Sequence, residues 1–213
     1  MDATHVVTQS RGGLADKRRA ILAGALTVFA RDGYSRASVD GIAAEAKVST
    51  RTIYNHFHCK AHLFEVVIQE SAVRVARAQI ALIDSYLRKV TDLEEDLIEF
   101  GRALQADKRG HDEHFALVRQ VNAELGHIPE KAYEAWQESG PRAVRRALAG
   151  HLRTLVDRGL LRADDTDLAA FHLMLLITGP LPSPQAPVVQ PSAEEVAAVV
   201  TAGVRAFLGG YAT

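Results

Sequence analysis

The chain is predicted to be all-α, and three observations carry the prediction. Apolar residues recur three and four apart along most of its length, no stretch alternates with the period of two that a strand requires, and two short neighbouring segments each open on a serine able to cap a helix. Its 213 residues suffice for one large or two small domains with a real core, and 47% hydrophobic against 24% charged residues is the balance of an ordinary globular chain.

In chain order, the first helix is expected from Asp16 to Arg31, where Ile21, Leu22, Ala25, Leu26, Val28 and Phe29 recur at helical spacing and Gly33 supplies the stop. Two short helices then meet at a tight turn between Ser38 and Lys60, with Ser38 capping the first and Ser49 the second. Ile42, Ala43, Ala46, Val48, Ile53 and Phe57 give this pair a small apolar seam, while Thr50, Arg51, Thr52, Tyr54, Asn55 and His56 stud the second helix with polar groups. That is a helix-turn-helix. In such a motif the second helix lies in the major groove, and hydroxyl, amide and guanidinium groups are the side chains that read base edges.

One long amphipathic helix follows from residue 60 to about 88, through Leu63, Phe64, Val67, Ile68, Val75, Ile80 and Ile83. Further helices are expected near 92–106, 112–125, 129–139, 141–158, 165–178 and 193–208, separated by breaks at Arg109-Gly110, Gly126 to Pro129, Gly140-Pro141 and Gly159. Pro180 to Pro191 holds five prolines and reads as a loop between the last two helices. No internal repeat is visible.

The head resembles a known family. Ile42-Ala43, Ala46, Val48-Ser49, Thr52, Tyr54-Asn55-His56-Phe57 and Lys60-x-x-Leu63-Phe64, chained to the first helix and to Ala30-Arg31-Asp32-Gly33-Tyr34, resemble the N-terminal domain of TetR-type bacterial repressors. Two departures stand out. The family usually has glycine where this chain has Lys47, so the lysine is expected in a left-handed conformation costing roughly 1 kcal/mol. Cys59 stands where the family carries a capping Ser, Asp or Asn, and a thiol caps poorly. The body, through Phe115 to Glu124, Ile128-Pro129-Glu130, Ala135-Trp136, Gly140-Pro141, Gly159-Leu160-Leu161-Arg162 and Asp165 to Ala170, resembles the C-terminal domain of the AefR-like subgroup.

The resemblance implies an organisation and a function. Residues 1–13 would be a flexible arm, 14–60 the helix-turn-helix DNA-binding domain, and 61–213 a helical ligand-binding and dimerisation domain. The chain would be a homodimeric repressor that binds a palindromic double-stranded operator and is released by a small apolar or amphipathic inducer, without a cofactor or enzymatic activity. Two recognition helices held by a two-fold axis would reach half-sites roughly 34–36 Å apart or more, and a ligand that tilts the long helices would change that separation.

On this reading Thr50, Arg51 and Asn55 touch base edges and Thr52, Tyr54, His56 and Lys60 touch phosphates, with Ser38 and Ser49 capping helices and able to reach phosphate as well. Arg11, Lys17, Arg18 and Arg19 read either as a minor-groove arm or as a solvated charged terminus. Dimerisation is implied through the last two helices, whose stripes carry Leu168, Phe171, Leu175 and Leu176 on one and Val196, Val199, Val200, Val204 and Phe207 on the other. Phe100, Leu104, Phe115, Arg119, Tyr133, Trp136, His172 and Met174 are candidates for the inducer cavity, with simple core packing as the alternative for each.

Charge supports one end as the nucleic-acid face. The net charge is −1, yet nine basic residues against six acidic ones up to Glu65 make the head +3 and leave the remainder −4. One cysteine excludes an internal disulfide, Met1 to Arg11 lacks the apolar segment of a secretory signal, and the apolar run from Leu168 to Gly179 is too short for a bilayer, so a cytoplasmic protein without membrane contact is expected. Other readings remain: a regulator governed by a protein partner or acting as an activator, and an all-α metal-dependent enzyme using His111, Asp112, Glu113 and His114. Neither that cluster nor His58, Cys59 and His62 has a recognised zinc spacing, and Cys59 as a redox switch rests on its place near a helix start alone.

Overall fold

The computed structural model of the chain describes residues 5–179 and 192–213, with side chains from residue 13 onward. Ten α-helices occupy the described residues: α1 (His5–Arg36), α2 (Val39–Glu45), α3 (Thr50–His56), α4 (Lys60–Leu87), α5 (Leu93–Lys108), α6 (Asp112–Ala123), α7 (Glu130–Ser139), α8 (Pro141–Asp157), α9 (Thr166–Thr178) and α10 (Ala193–Tyr211). Single 3₁₀ turns at Arg109–His111 and Leu125–His127 flank α6, and the pairing of Leu161 with Ala212 is an isolated bridge, so the described residues contain no strand. The all-α expectation holds. The proline-rich loop expected over 180–191 lies outside the described residues, as do the first four residues of the expected arm and the side chain of Arg11. No described helix is long and apolar enough to cross a membrane.

Packing divides the chain into two compact units that are not continuous in sequence, residues 1–73 with 111–139 and residues 74–110 with 140–213. Helix α4 contributes its first half to one and its second half to the other.

In the first unit, Ile21, Ala25, Val28 and Phe29 of α1, Ile42 of α2, Ile53 of α3, Leu63, Phe64 and Ile68 of α4, Leu117 and Val121 of α6 and Ala132 and Trp136 of α7 share one core. Phe29 and Phe64 meet edge to face with centroids 4.9 Å apart. The chain leaves helical geometry at Gly33, whose φ of 80° and ψ of 175° lie where side-chain-bearing residues are strained, as the expected stop requires. A Cβ at Gly33 would also collide with the Glu124 carboxylate. That carboxylate accepts a 2.8 Å hydrogen bond from the Ser35 N–H, while Glu113 at the other end of α6 accepts from the Thr27 hydroxyl at 3.0 Å. Helix α6 is thereby fastened to α1 at both ends. The buried Ser71 hydroxyl and His114 Nδ1 share a 2.9 Å hydrogen bond that joins α4 to α6.

The second unit packs α5, α8, α9, α10 and the end of α4 around Ile83, Leu97, Phe100, Leu104, Leu148, Leu152, Leu173, Ile177, Val200, Val204 and Phe207. Its helix starts are written locally: Asp92 caps α5, Asp165 caps α9, Pro141 occupies the first turn of α8, and Ser192 with Glu195 forms a reciprocal capping box on α10. Gly203 lets α10 lie against α9, since a Cβ there would strike the Leu176 carbonyl.

Candidate nucleic-acid interface

The helix-turn-helix is assembled by short-range bonds. Ser38 Oγ accepts from the Gly41 N–H at 3.0 Å and Ser49 Oγ from the Thr52 N–H at 3.2 Å, so both expected caps are present. Between the two helices, the Val48 N–H bonds to Ala43 O at 3.0 Å and the Lys47 N–H to Ala44 O at 3.2 Å, the paired closure of a Schellman turn. Such a turn needs a left-handed residue at its end. Lys47 supplies it with φ 54°, the one positive-φ residue other than glycine among those described, as its place in the glycine position foretold.

With both ends fixed, α3 buries Ile53 beneath it, while Phe57 seals its C-terminal end. Arg51, Tyr54 and Asn55 project outward, exposed and without a hydrogen bond or ion pair to any described residue. Thr50 is half-buried at the helix start. The Thr52 hydroxyl shares a 2.9 Å hydrogen bond with Ser49 Oγ and is partly committed to the motif itself, while His56 is half-buried with its ring 6.3 Å from that of Phe57. A guanidinium, a phenol and an amide on one rigid helical face can reach donors and acceptors on a polar partner surface without first breaking internal bonds.

The remaining expected contacts are placed differently. Lys60 opens α4 but turns inward: its Nζ donates to Tyr34 O at 2.9 Å and Ala37 O at 3.1 Å and lies 4.6 Å from the centroid of the Tyr34 ring. Burial pushes the Tyr34 phenol above its ordinary pKa, with the Cys59 thiol adding to the shift. Arg18 lies 5.8 Å over the Phe57 ring and pairs with Glu70 at 2.8 Å, and Arg19 pairs with Asp16 at 2.7 Å. Arg31 hydrogen-bonds Asp32, which holds that carboxyl below the usual carboxylate range.

Cys59 is free and exposed, and the His58 and His62 rings stack 5.5 Å apart. Among the described residues no three His, Cys, Asp or Glu side chains converge as metal ligands.

The eight candidate cavity residues are divided between the two units rather than gathered in one. Phe115, Arg119, Tyr133 and Trp136 belong to the first unit, and Phe100, Leu104, His172 and Met174 to the second. Phe100 and Leu104 are fully buried, Arg119 is exposed, and His172 Nδ1 shares a 2.7 Å hydrogen bond with Tyr211. Trp136 is buried, and no described residue offers an acceptor to its indole N–H.

On the expected dimer helices, Leu168, Phe171 and Leu175 are 47%, 43% and 52% exposed, whereas Val200, Val204 and Phe207 are at most 1% exposed. The α10 stripe differs from expectation because α10 turns it onto α5 and α9 of its own unit. Val196 is half-buried, and the outward face of α10 carries Ala198, Ala202, Ala206 and Gly209 instead.

Comparison with known proteins agrees with the arrangement. Residues 21–67 match the family model for bacterial regulatory proteins of the tetR family, and residues 95–213 match that for the C-terminal domain of AefR-like transcriptional repressors. A TetR-family transcriptional regulator from Mesorhizobium loti MAFF303099 superposes with a TM-score of 0.80 at 28% identity, covering 94% of this chain and 98% of that one. The flavonoid-responsive regulator FrrA gives a TM-score of 0.60 at 28% identity, over 92% of this chain and 97% of that one. A transcriptional regulator from Saccharomonospora viridis in complex with choline shares the fold, with a TM-score of 0.67 at 22% identity over 93% and 99% of the two chains. No curated protein is similar enough to count as a relative.

Proposed function

The chain belongs to the TetR family of bacterial transcriptional regulators, and from that premise we propose that it is a homodimeric repressor that binds a palindromic operator and leaves it when a small ligand binds. Members of this family regulate transcription through DNA and are not enzymes. The observation that carries the DNA reading is α3, capped at Ser49 and sealed by Ile53 and Phe57, with Arg51, Tyr54 and Asn55 free on its outer face.

Dimerisation is supported by α9. Exposed Leu168, Phe171, Leu175 and Leu176 form an apolar face on α9 opposite its buried Ala169, Ala170, Leu173 and Ile177, and such faces mark interaction surfaces. The small outward residues of α10 would let a second copy approach closely beside them. Ligand response is supported by the 28% identity to a regulator that is flavonoid-responsive, which makes flavonoids the first compounds to try. Helix α4 belongs to both units, so a ligand that tilts it would change the spacing of the two α3 helices and weaken both half-sites together.

Selection of bound duplexes from a random pool tests the reading, with Tyr54→Ala as control. The expected result is an enriched palindrome absent from the control, followed by its release from the protein in a flavonoid titration. Enrichment of a sequence without two-fold symmetry would overturn the dimeric reading, and no enrichment would overturn the DNA reading.

A further inference from the structure

Lys60 stands at the start of α4, beside the helix proposed to read DNA, where a basic residue is ordinarily expected to meet a phosphate. Its ammonium is already engaged. Two of its three N–H groups are directed at Tyr34 O and Ala37 O, 2.9 and 3.1 Å away, and the charge lies 4.6 Å from the Tyr34 ring centroid.

The two carbonyls have a particular place in the fold. They belong to the segment after Gly33, where α1 abandons helical geometry and its last carbonyls lose their helical N–H partners. A lysine at a helix C-terminus satisfies such carbonyls and also meets the negative end of the helix dipole. Ala37 directly precedes Ser38, the cap of α2, so whatever holds the Ala37 carbonyl also sets the direction in which α2 begins. Glu124 takes the Ser35 N–H of the same turn at 2.8 Å. Three backbone groups between Gly33 and Ser38 are thus taken by a cation from α4 and an anion from α6. Tyr34 is locked as well, with its ring 4.9 Å from that of Phe64.

We propose that Lys60 is a positioning residue for the DNA-reading helix, clamping the turn between α1 and α2 and acting on operator affinity through Ser38 and α2 instead of by pairing with a phosphate. The inference rests on the DNA-binding reading above.

The two roles differ in salt dependence, because each phosphate contact contributes about 0.9 to the slope of log affinity against log salt. Operator and random-duplex affinities would be measured across a salt series for the full-length wild type, Lys60→Met and Lys60→Arg. Arginine keeps a charge for a phosphate, but its longer side chain fixes every N–H in one plane and cannot turn a compact ammonium onto both carbonyls and the face of the Tyr34 ring at once. Both variants are expected to lose about tenfold or more in operator affinity, keep the wild-type slope, and bind random duplex nearly as the wild type does. A slope reduced by about one in Lys60→Met and restored in Lys60→Arg would overturn the proposal.

Should the variants fold poorly, the wild type alone still decides. Its Lys60 Nζ resonance is expected to be protected from exchange in the free protein and unmoved when operator is added, and a signal protected only with DNA would overturn the proposal. If the wild type selects no duplex at all, the DNA reading falls and this inference with it; a selected duplex with a changed slope removes the inference alone.

Discussion

Helix α3 of the first unit and helix α9 of the second are anchored alike. Each opens on a side-chain cap, from Ser49 and Asp165, and each buries an apolar inner face, Ile53 in one and Ala169, Ala170, Leu173 and Ile177 in the other. Their outer faces part company: α3 presents Arg51, Tyr54 and Asn55, and α9 presents Leu168, Phe171 and Leu175. Polar groups rest in water at little cost and can exchange it for another polar surface, whereas apolar side chains gain roughly 25 cal/mol for each Å² of surface removed from water. Outward α3 chemistry therefore suits a partner met reversibly and outward α9 chemistry one kept, as the proposed dimeric repressor would need.

Charging the apolar face of α9 should have the greatest consequence. Leu175→Glu in a covered face would leave an unpaired carboxylate and cost several kcal/mol of association. Sedimentation should then find monomers, and operator affinity should collapse because both half-sites lose their common frame. A dimer that survives would show that the α9 face is left to solvent. Next in size, Arg51→Ala should cost about 1–3 kcal/mol at particular base pairs and relax discrimination there, with random duplex little affected. Equal loss on both duplexes would reduce Arg51 to a phosphate contact.

A finer test pairs two caps. Ser49→Ala and Ser192→Ala each remove a side-chain acceptor at a helix start and should each lower stability by about 1 kcal/mol in thermal melts. Only the first should also weaken operator binding. The smallest expected effect is a gain: Lys47→Gly relieves the strained turn at φ 54° and should stabilise the protein by roughly 1 kcal/mol or less, seen as a higher Tm.

Local rules made most of the fold legible. The Ser38 and Ser49 caps, the left-handed Lys47 and the stop at Gly33 are decided by a few neighbouring residues, and α4 to α10 begin and end within a few residues of where periodicity and breakers put them. What periodicity reads is which face of a helix is apolar and not what covers it. The Val200, Val204 and Phe207 stripe was therefore as good a partner face on paper as Leu168 and Phe171, until packing turned it inward. Lys60 was hidden for a related reason: the carbonyls it meets lie 26 and 23 residues earlier, and no local signal marks them. The pairing of Glu124 with Ser35, 89 residues apart, was equally out of reach, and with it the membership of α6 and α7 in the same unit as the helix-turn-helix.

The single tryptophan gives the two units different visibility. Trp136 lies in the core that α7 shares with α1 to α4 and α6, and the second unit has none, so indole emission follows the first unit while far-UV dichroism follows every helix. Thermal curves that coincide in the two signals would mean the units melt as one cooperative body. Curves that separate would time the loss of the DNA-reading unit independently of the rest, with no label added to the protein.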